Sequence, residues 1–118
     1  MPEPAPFEVR FAGGMPIVTG PAEIDISNAG ELRTALLSAA TGHPTIVVDL
    51  SRTEFCDSSG LNVLVRAMKR AQASGGELRL VISAPSVVRI LAVTGVDNLF
   101  QTFASLPEAL TEEPPAPA

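Results

Sequence analysis

The hydrophobic pattern begins at residues 7–11, where Phe7, Val9 and Phe11 alternate with Glu8 and Arg10. A period of two predicts a half-buried strand. Ala12, Gly13 and Gly14 interrupt the run before residues 15–19, so the two segments read as a hairpin. A loop from Gly20 to Asp25 leads to Ser27 and Asn28, and Asn28 with Glu31 three residues later has the form of a capping box. A helix should start there. Leu32, Ala35, Leu36, Ala39 and Ala40 recur at helical spacing until Gly42 and Pro44 close the segment.

Residues 45–50 form a β-branched run with little alternation, the mark of a strand buried on both faces and paired in parallel. After a loop, Asp57-Ser58-Ser59-Gly60 introduces a helix over 61–73. Its apolar stripe is Leu61, Leu64, Val65, Met68 and Ala71, with Arg66, Lys69 and Arg70 off it, and Ser74-Gly75-Gly76 ends it. Residues 77–82 are the next strand. Pro85 suits a helix start, because its missing N–H loses no bond there, and Val88, Leu91 and Ala92 give that helix a buried side until Gly95. Residues 100–103 are a last strand. Ser105 and Glu108 form a second capping box around Pro107, predicting a short helix through Leu110.

The resulting order is β-β-α-β-α-β-α-β-α. Right-handed strand-helix-strand crossovers then give an α/β fold: a mixed, mostly parallel sheet with an N-terminal antiparallel hairpin and about four helices. Proline marks the margins, with Pro2, Pro4 and Pro6 at one end and Pro114, Pro115 and Pro117 beside Glu112 and Glu113 at the other. Residues 1–6 are therefore expected to be a disordered tail, 7–111 the domain, and 112–118 a Pro-rich acidic tail.

Composition narrows the function classes. The chain has 118 residues, 46% of them hydrophobic, which suits one packed domain. Five Phe with no Tyr or Trp supply few platforms for stacking bases. Thirteen acidic against eight basic residues give a net charge of −5, which repels phosphate backbones and anionic lipid. Direct nucleic-acid binding is not expected. One cysteine, Cys56, and one histidine, His43, cannot make an intramolecular disulfide or a metal site of the usual kind. No run approaches ~18 apolar residues and the N-terminus lacks a signal pattern, so the expectation is a cytoplasmic protein without a membrane span, metal or cofactor.

The most informative segment is Phe55-Cys56-Asp57-Ser58-Ser59-Gly60-Leu61, between a strand and an amphipathic helix. Sites in open α/β sheets lie at such strand ends, where helix N–H groups accept negative charge. Asp57 or Ser58 also suits a plain helix cap, and Gly60 close packing. An enzyme is not expected. A serine nucleophile needs a positioned base and an elbow of the form G-x-S-x-G, whereas Asp occupies position 57 and His43 stands before a different strand. No phosphate-loop motif occurs. Arg66, Lys69 and Arg70 read as a wet helix face, although a basic strip beside the serines would suit an acidic partner. Cys56 reads as a small buried hydrophobe.

These residues carry a resemblance. Glu23-Ile24-Asp25, Val47-Val48-Asp49-Leu50, Asp57-Ser58-Ser59-Gly60-Leu61 and Leu91-Ala92-Val93-Thr94-Gly95-Val96 together resemble a STAS domain of the bacterial anti-sigma factor antagonist family, over roughly residues 7 to 110. The resemblance implies that Ser59 is phosphorylated by a partner anti-sigma factor that is also a serine kinase of the histidine-kinase-like ATPase type. It further implies that Asp57 is the preceding acid, that Asp25 is the companion loop acid, and that a phosphatase resets the switch. The unmodified protein would bind the anti-sigma factor and free the sigma factor. The implied partner surface is Glu23, Asp25, Asp57, Ser58, Ser59, Gly60 and Asn62. The alternative is a STAS-type accessory subunit of a lipid transport ATPase, or a module that senses an anion or nucleotide at the same helix start.

Overall fold

A computed structural model describes residues 6–111. Residues 1–5 and 112–118, which hold most of both expected tails, lie outside the described residues. Strands β1 (Glu8–Ala12) and β2 (Met15–Thr19) form the hairpin. Gly13 and Gly14 have φ of 61° and 77°, the left-handed pair that a tight two-residue turn requires. Strands β4 (Ile46–Leu50), β6 (Leu78–Ile82) and β7 (Gln101–Phe103) complete a five-stranded sheet, to which β3 (Glu23–Ile24) does not belong. The order is β1-β2-β4-β6-β7, and every pairing beyond the hairpin is parallel.

The sheet divides two cores. On one face Val18, Ile46, Val48, Leu50, Leu78 and Leu80 pack against α1 (Ala29–Ala40) and α2 (Ser58–Ala73), which supply Leu32, Leu36, Leu64, Ala67 and Met68. Leu91 of α3 (Pro85–Thr94) joins the same core. The opposite face buries Met15, Ile17, Val47 and Val81 beneath Ala109 of a six-residue helix, α4 (Leu106–Thr111). Every residue of β4 is buried, Asp49 included, as a β-branched run with little alternation predicts.

Several expectations are corrected. The loops around residues 23–24 and 55–56 contain short strands, β3 and β5 (Phe55–Cys56), which pair in parallel as a separate ribbon. A 3₁₀ turn occupies Asp97–Leu99 before β7. On α3 the buried residues are Val87 and Leu91, four apart, whereas Val88 is 45% exposed and Ala92 also faces out. Asn28 does occupy the N-cap position of α1, but its side chain makes no capping bond. Its ψ of 1° departs from the extended backbone that aims a cap at the helix amides. The side chain turns back instead, accepting from the Asp25 amide at 3.0 Å and donating to the Glu23 carbonyl at 2.8 Å.

Candidate functional site

The β3–β5 ribbon decides which residues meet. Its register places Glu23 opposite Phe55 and Ile24 opposite Cys56, so Asp25 and Asp57 leave the ribbon side by side. The Asp57 amide donates to the Ile24 carbonyl at 3.0 Å, extending the ladder by one step. Two loops that are thirty-odd residues apart in the chain thus converge at the start of α2.

Each loop is braced by its own side chains. Asp25 accepts from the amide and the hydroxyl of Ser27, and those bonds lower its pKa, the hydroxyl contributing more. Asp25 therefore keeps its charge to lower pH than an ordinary aspartate. Asp57 is the N-cap of α2, its Oδ1 accepting from the Ser59 amide at 2.8 Å and the Gly60 amide at 3.2 Å. The helix consequently begins at Ser58, earlier than the apolar stripe indicates, and both serines lie in its first turn. The amides expected to be free for an anion are largely engaged by this carboxylate. Among the described residues neither the Ser58 nor the Ser59 hydroxyl bonds to protein.

Ser58 is exposed, Ser59 half-buried and Asn62 exposed one turn further along α2. Together with Leu61, Val65 and Val96 they line a shallow depression. Glu23 is exposed on β3 and Asp25 half-exposed after it. Gly60 differs from the rest of the expected set because it is buried. A Cβ there would lie 2.5 Å from Ile24 Cγ2 and 2.9 Å from Cys56 Sγ, so its part is to let α2 sit directly on the ribbon. Gly60→Ala should cost about 2 kcal/mol, since overpacking a tight contact costs roughly 1–3 kcal/mol. Urea unfolding measures this, and a loss below about 0.5 kcal/mol would mean that the ribbon simply shifts away.

Three neighbours escape the sequence reading. Glu54 follows the ribbon strand backwards, its amide bonded to the Ala22 carbonyl at 2.8 Å, and adds a fourth exposed or half-exposed carboxylate to Glu23, Asp25 and Asp57. Phe55 is 50% exposed and Ile26 81% exposed, placing apolar surface beside the acids. The sequence reading leaves Phe55 in the loop segment before α2 with no burial assigned to it, and only the pairing of β5 with β3 fixes it as an exposed strand residue.

Cys56 is buried beneath this surface, and desolvation, helped by the charge of Asp57, pushes its pKa up to about 11. The thiol therefore stays protonated at pH 8. Its labelling by a disulfide reagent at that pH should be at least tenfold slower in native than in urea-unfolded protein, and equal rates would show that the site opens freely. Burial of the neutral thiol favours folding below the unfolded pKa, and that contribution is lost as pH rises toward 11. His43 does not approach the site. It precedes the N-terminal end of β4, against the ring of Phe11 at 5.2 Å, whereas Ser59 follows the opposite end of the strands.

No helix of the described residues is long and apolar enough to cross a membrane, and they contain no cluster of three His, Cys, Asp or Glu able to hold a metal. Known proteins share this fold. The chain is 30% identical over 113 residues to the anti-sigma-F factor antagonist RsfB of Mycobacterium tuberculosis, covering 93% of this chain and 90% of the relative. It is 29% identical over 82 residues to the anti-sigma-B factor antagonist of Bacillus subtilis, covering 70% and 75% of the two chains. A solved anti-sigma factor antagonist from Mycobacterium paratuberculosis superposes with a TM-score of 0.76 at 28% identity, over 89% of this chain and 90% of that one. A STAS domain protein from Planctomyces limnophilus gives a TM-score of 0.79 at 26% identity, over 88% and 94%. The STAS domain family itself matches residues 6–109. With that match and these relatives, the chain belongs to the STAS domain family, among its anti-sigma factor antagonists.

Proposed function

We propose that this protein antagonises an anti-sigma factor and is switched off by phosphorylation of Ser59. Unmodified, it binds an anti-sigma factor of the serine-kinase ATPase type and releases the sigma factor that this partner holds. The kinase activity of the partner modifies Ser59 and ends the interaction, and a phosphatase restores it. The relatives bear the names of regulators rather than enzymes. No step here requires chemistry from the chain itself beyond offering a hydroxyl.

The observation that carries this reading is the position of Ser59. Its hydroxyl has no partner among the described residues, lies in the first turn of α2, and stands where the Asp25 and Asp57 loops converge. Glu23, Asp25, Asp57, Ser58, Ser59 and Asn62 form the contact surface, and Gly60 supports it from behind. A phosphoserine brings about −1.5 to −2 charges at neutral pH. Because Asp57 already engages the Ser59 and Gly60 amides, little of that charge is neutralised locally, and it falls on the partner surface.

Incubation with the purified kinase partner and ATP should add one phosphate, and Ser59→Ala should abolish uptake while Ser58→Ala retains it. Equal incorporation in Ser59→Ala would overturn the assignment. Mass spectrometry of the intact chain reads the stoichiometry directly.

A further inference from the structure

Beyond the acidic loops that precede α2 lies a patch of the opposite sign. Arg33 of α1 and Arg66 and Arg70 of α2 line one hollow of about 150 Å³ with Asn62 and Val63. All three arginines are exposed. Among the described residues none of them forms an ion pair, the one salt bridge present being Arg79 to Glu77. Helix α2 contains no acidic residue. The acid nearest in sequence on α1, Glu31, lines a different groove with Phe7 and Val9, and residues two apart on a helix do not face each other.

Three of the chain's eight cationic residues are thus gathered in one hollow of a protein with net charge −5. The helix dipole accounts for Arg70, in the last turn of α2, but not for Arg33, in the first half of α1. Like charges held together without a counter-ion disfavour the free domain, and forked guanidinium groups match carboxylates in geometry. The hollow is continuous with the Ser59 surface. Ser59, Asn62, Arg66 and Arg70 follow at spacings of three and four along one stripe of α2, and Asn62 lines both depressions.

We infer that the Arg33–Arg66–Arg70 hollow is a second docking subsite, which receives an acidic segment of the same anti-sigma factor that engages Ser59. This rests on the proposed function only for the identity of the partner. The start of α2, with the acidic loops around it, then carries the switch, while the basic hollow supplies orientation and electrostatic attraction that phosphorylation does not touch. Charge complementarity selects a carboxylate-rich peptide rather than an apolar one.

The test has two arms. In the first, capped hexaglutamate peptide is titrated into the ¹⁵N-labelled protein at low salt. Saturable shifts should appear at Arg33, Asn62, Arg66 and Arg70, should weaken at least tenfold in R66E/R70E, and should be absent with hexaglutamine. Equal shifts at Arg10, Arg52 and Arg89, or none at the hollow, would overturn the subsite. So would the same response to inorganic phosphate, which would mark a small-anion site. In the second arm, R66E/R70E should slow association with the anti-sigma factor at least tenfold at low salt, and R66K/R70K should restore much of the rate. Unchanged association in R66E/R70E would overturn the docking role. If the wild type fails to bind that partner at all, the proposed function fails, and the peptide arm still decides the hollow.

Discussion

Ser59→Glu should lower affinity for the anti-sigma factor about a hundredfold, whereas Ser59→Ala should change it only a few-fold. A hundredfold loss is about 2.7 kcal/mol. The substitution adds a negative charge where Glu23, Asp25, Glu54 and Asp57 already lie around the start of α2. A partner that binds this surface must neutralise or avoid those carboxylates, and a fifth charge beside them is desolvated with nothing left to hold it, since the Ser59 and Gly60 amides serve Asp57. Calorimetric titration at two salt concentrations separates the causes. If repulsion dominates, higher salt recovers part of the loss, because screening shortens the reach of exposed charges. If bulk dominates, salt leaves the ratio unchanged. An affinity equal to wild type would sink the switch mechanism, because neither charge nor volume at Ser59 would then matter. The fold should be unaffected, as glutamate in the first turn of a helix is favourable.

Arg79→Ala should destabilise the domain by about 3 kcal/mol without touching the partner surface. Arg79 lies mid-strand in β6 and is 1% exposed, on the sheet face that α4 covers. Its guanidinium donates to the Ala109 carbonyl at 2.7 Å and to Glu77 Oε1 at 3.1 Å, and lies 5.9 Å from the centre of the Phe103 ring. A six-residue helix has no stability of its own and depends on such tertiary contacts. The cation meets the carbonyl end of α4, where it complements the partial negative charge. Truncation leaves a cavity and an unpaired buried carbonyl. Arg79→Met, which fills the volume without the charge, should cost less than the alanine. Thermal unfolding reads the result, about 4–8 °C per kcal/mol for a domain near this size. A change within about 0.5 kcal/mol would show that α4 is held by Met15, Ile17, Val47 and Val81 alone. Because Arg79 and the Ser59 surface lie on opposite sides of the sheet, the folded fraction of Arg79→Ala should bind the anti-sigma factor as wild type does.

The hairpin, the buried central strand, the four helices and the mixed sheet are all legible in the amino-acid order, because each rests on local periodicity or on turn chemistry such as Gly13-Gly14. The same order puts Asp57, Ser58 and Ser59 at a helix start, since a capping acid followed by a small-residue turn and an apolar stripe is a local signal. That Asp25 stands beside Asp57 is legible only in the folded chain. That depends on pairing two strands of two residues each, too short to show any period, and their register is a non-local fact. The same limit explains Asn28, whose side chain serves the Glu23 and Asp25 backbone rather than the helix, and Phe55, an apolar residue turned outward. Arg79 is the complementary case. Alternation puts it on one face of β6, but whether water or a helix covers that face depends on where the chain returns thirty residues later, and no local pattern contains that information.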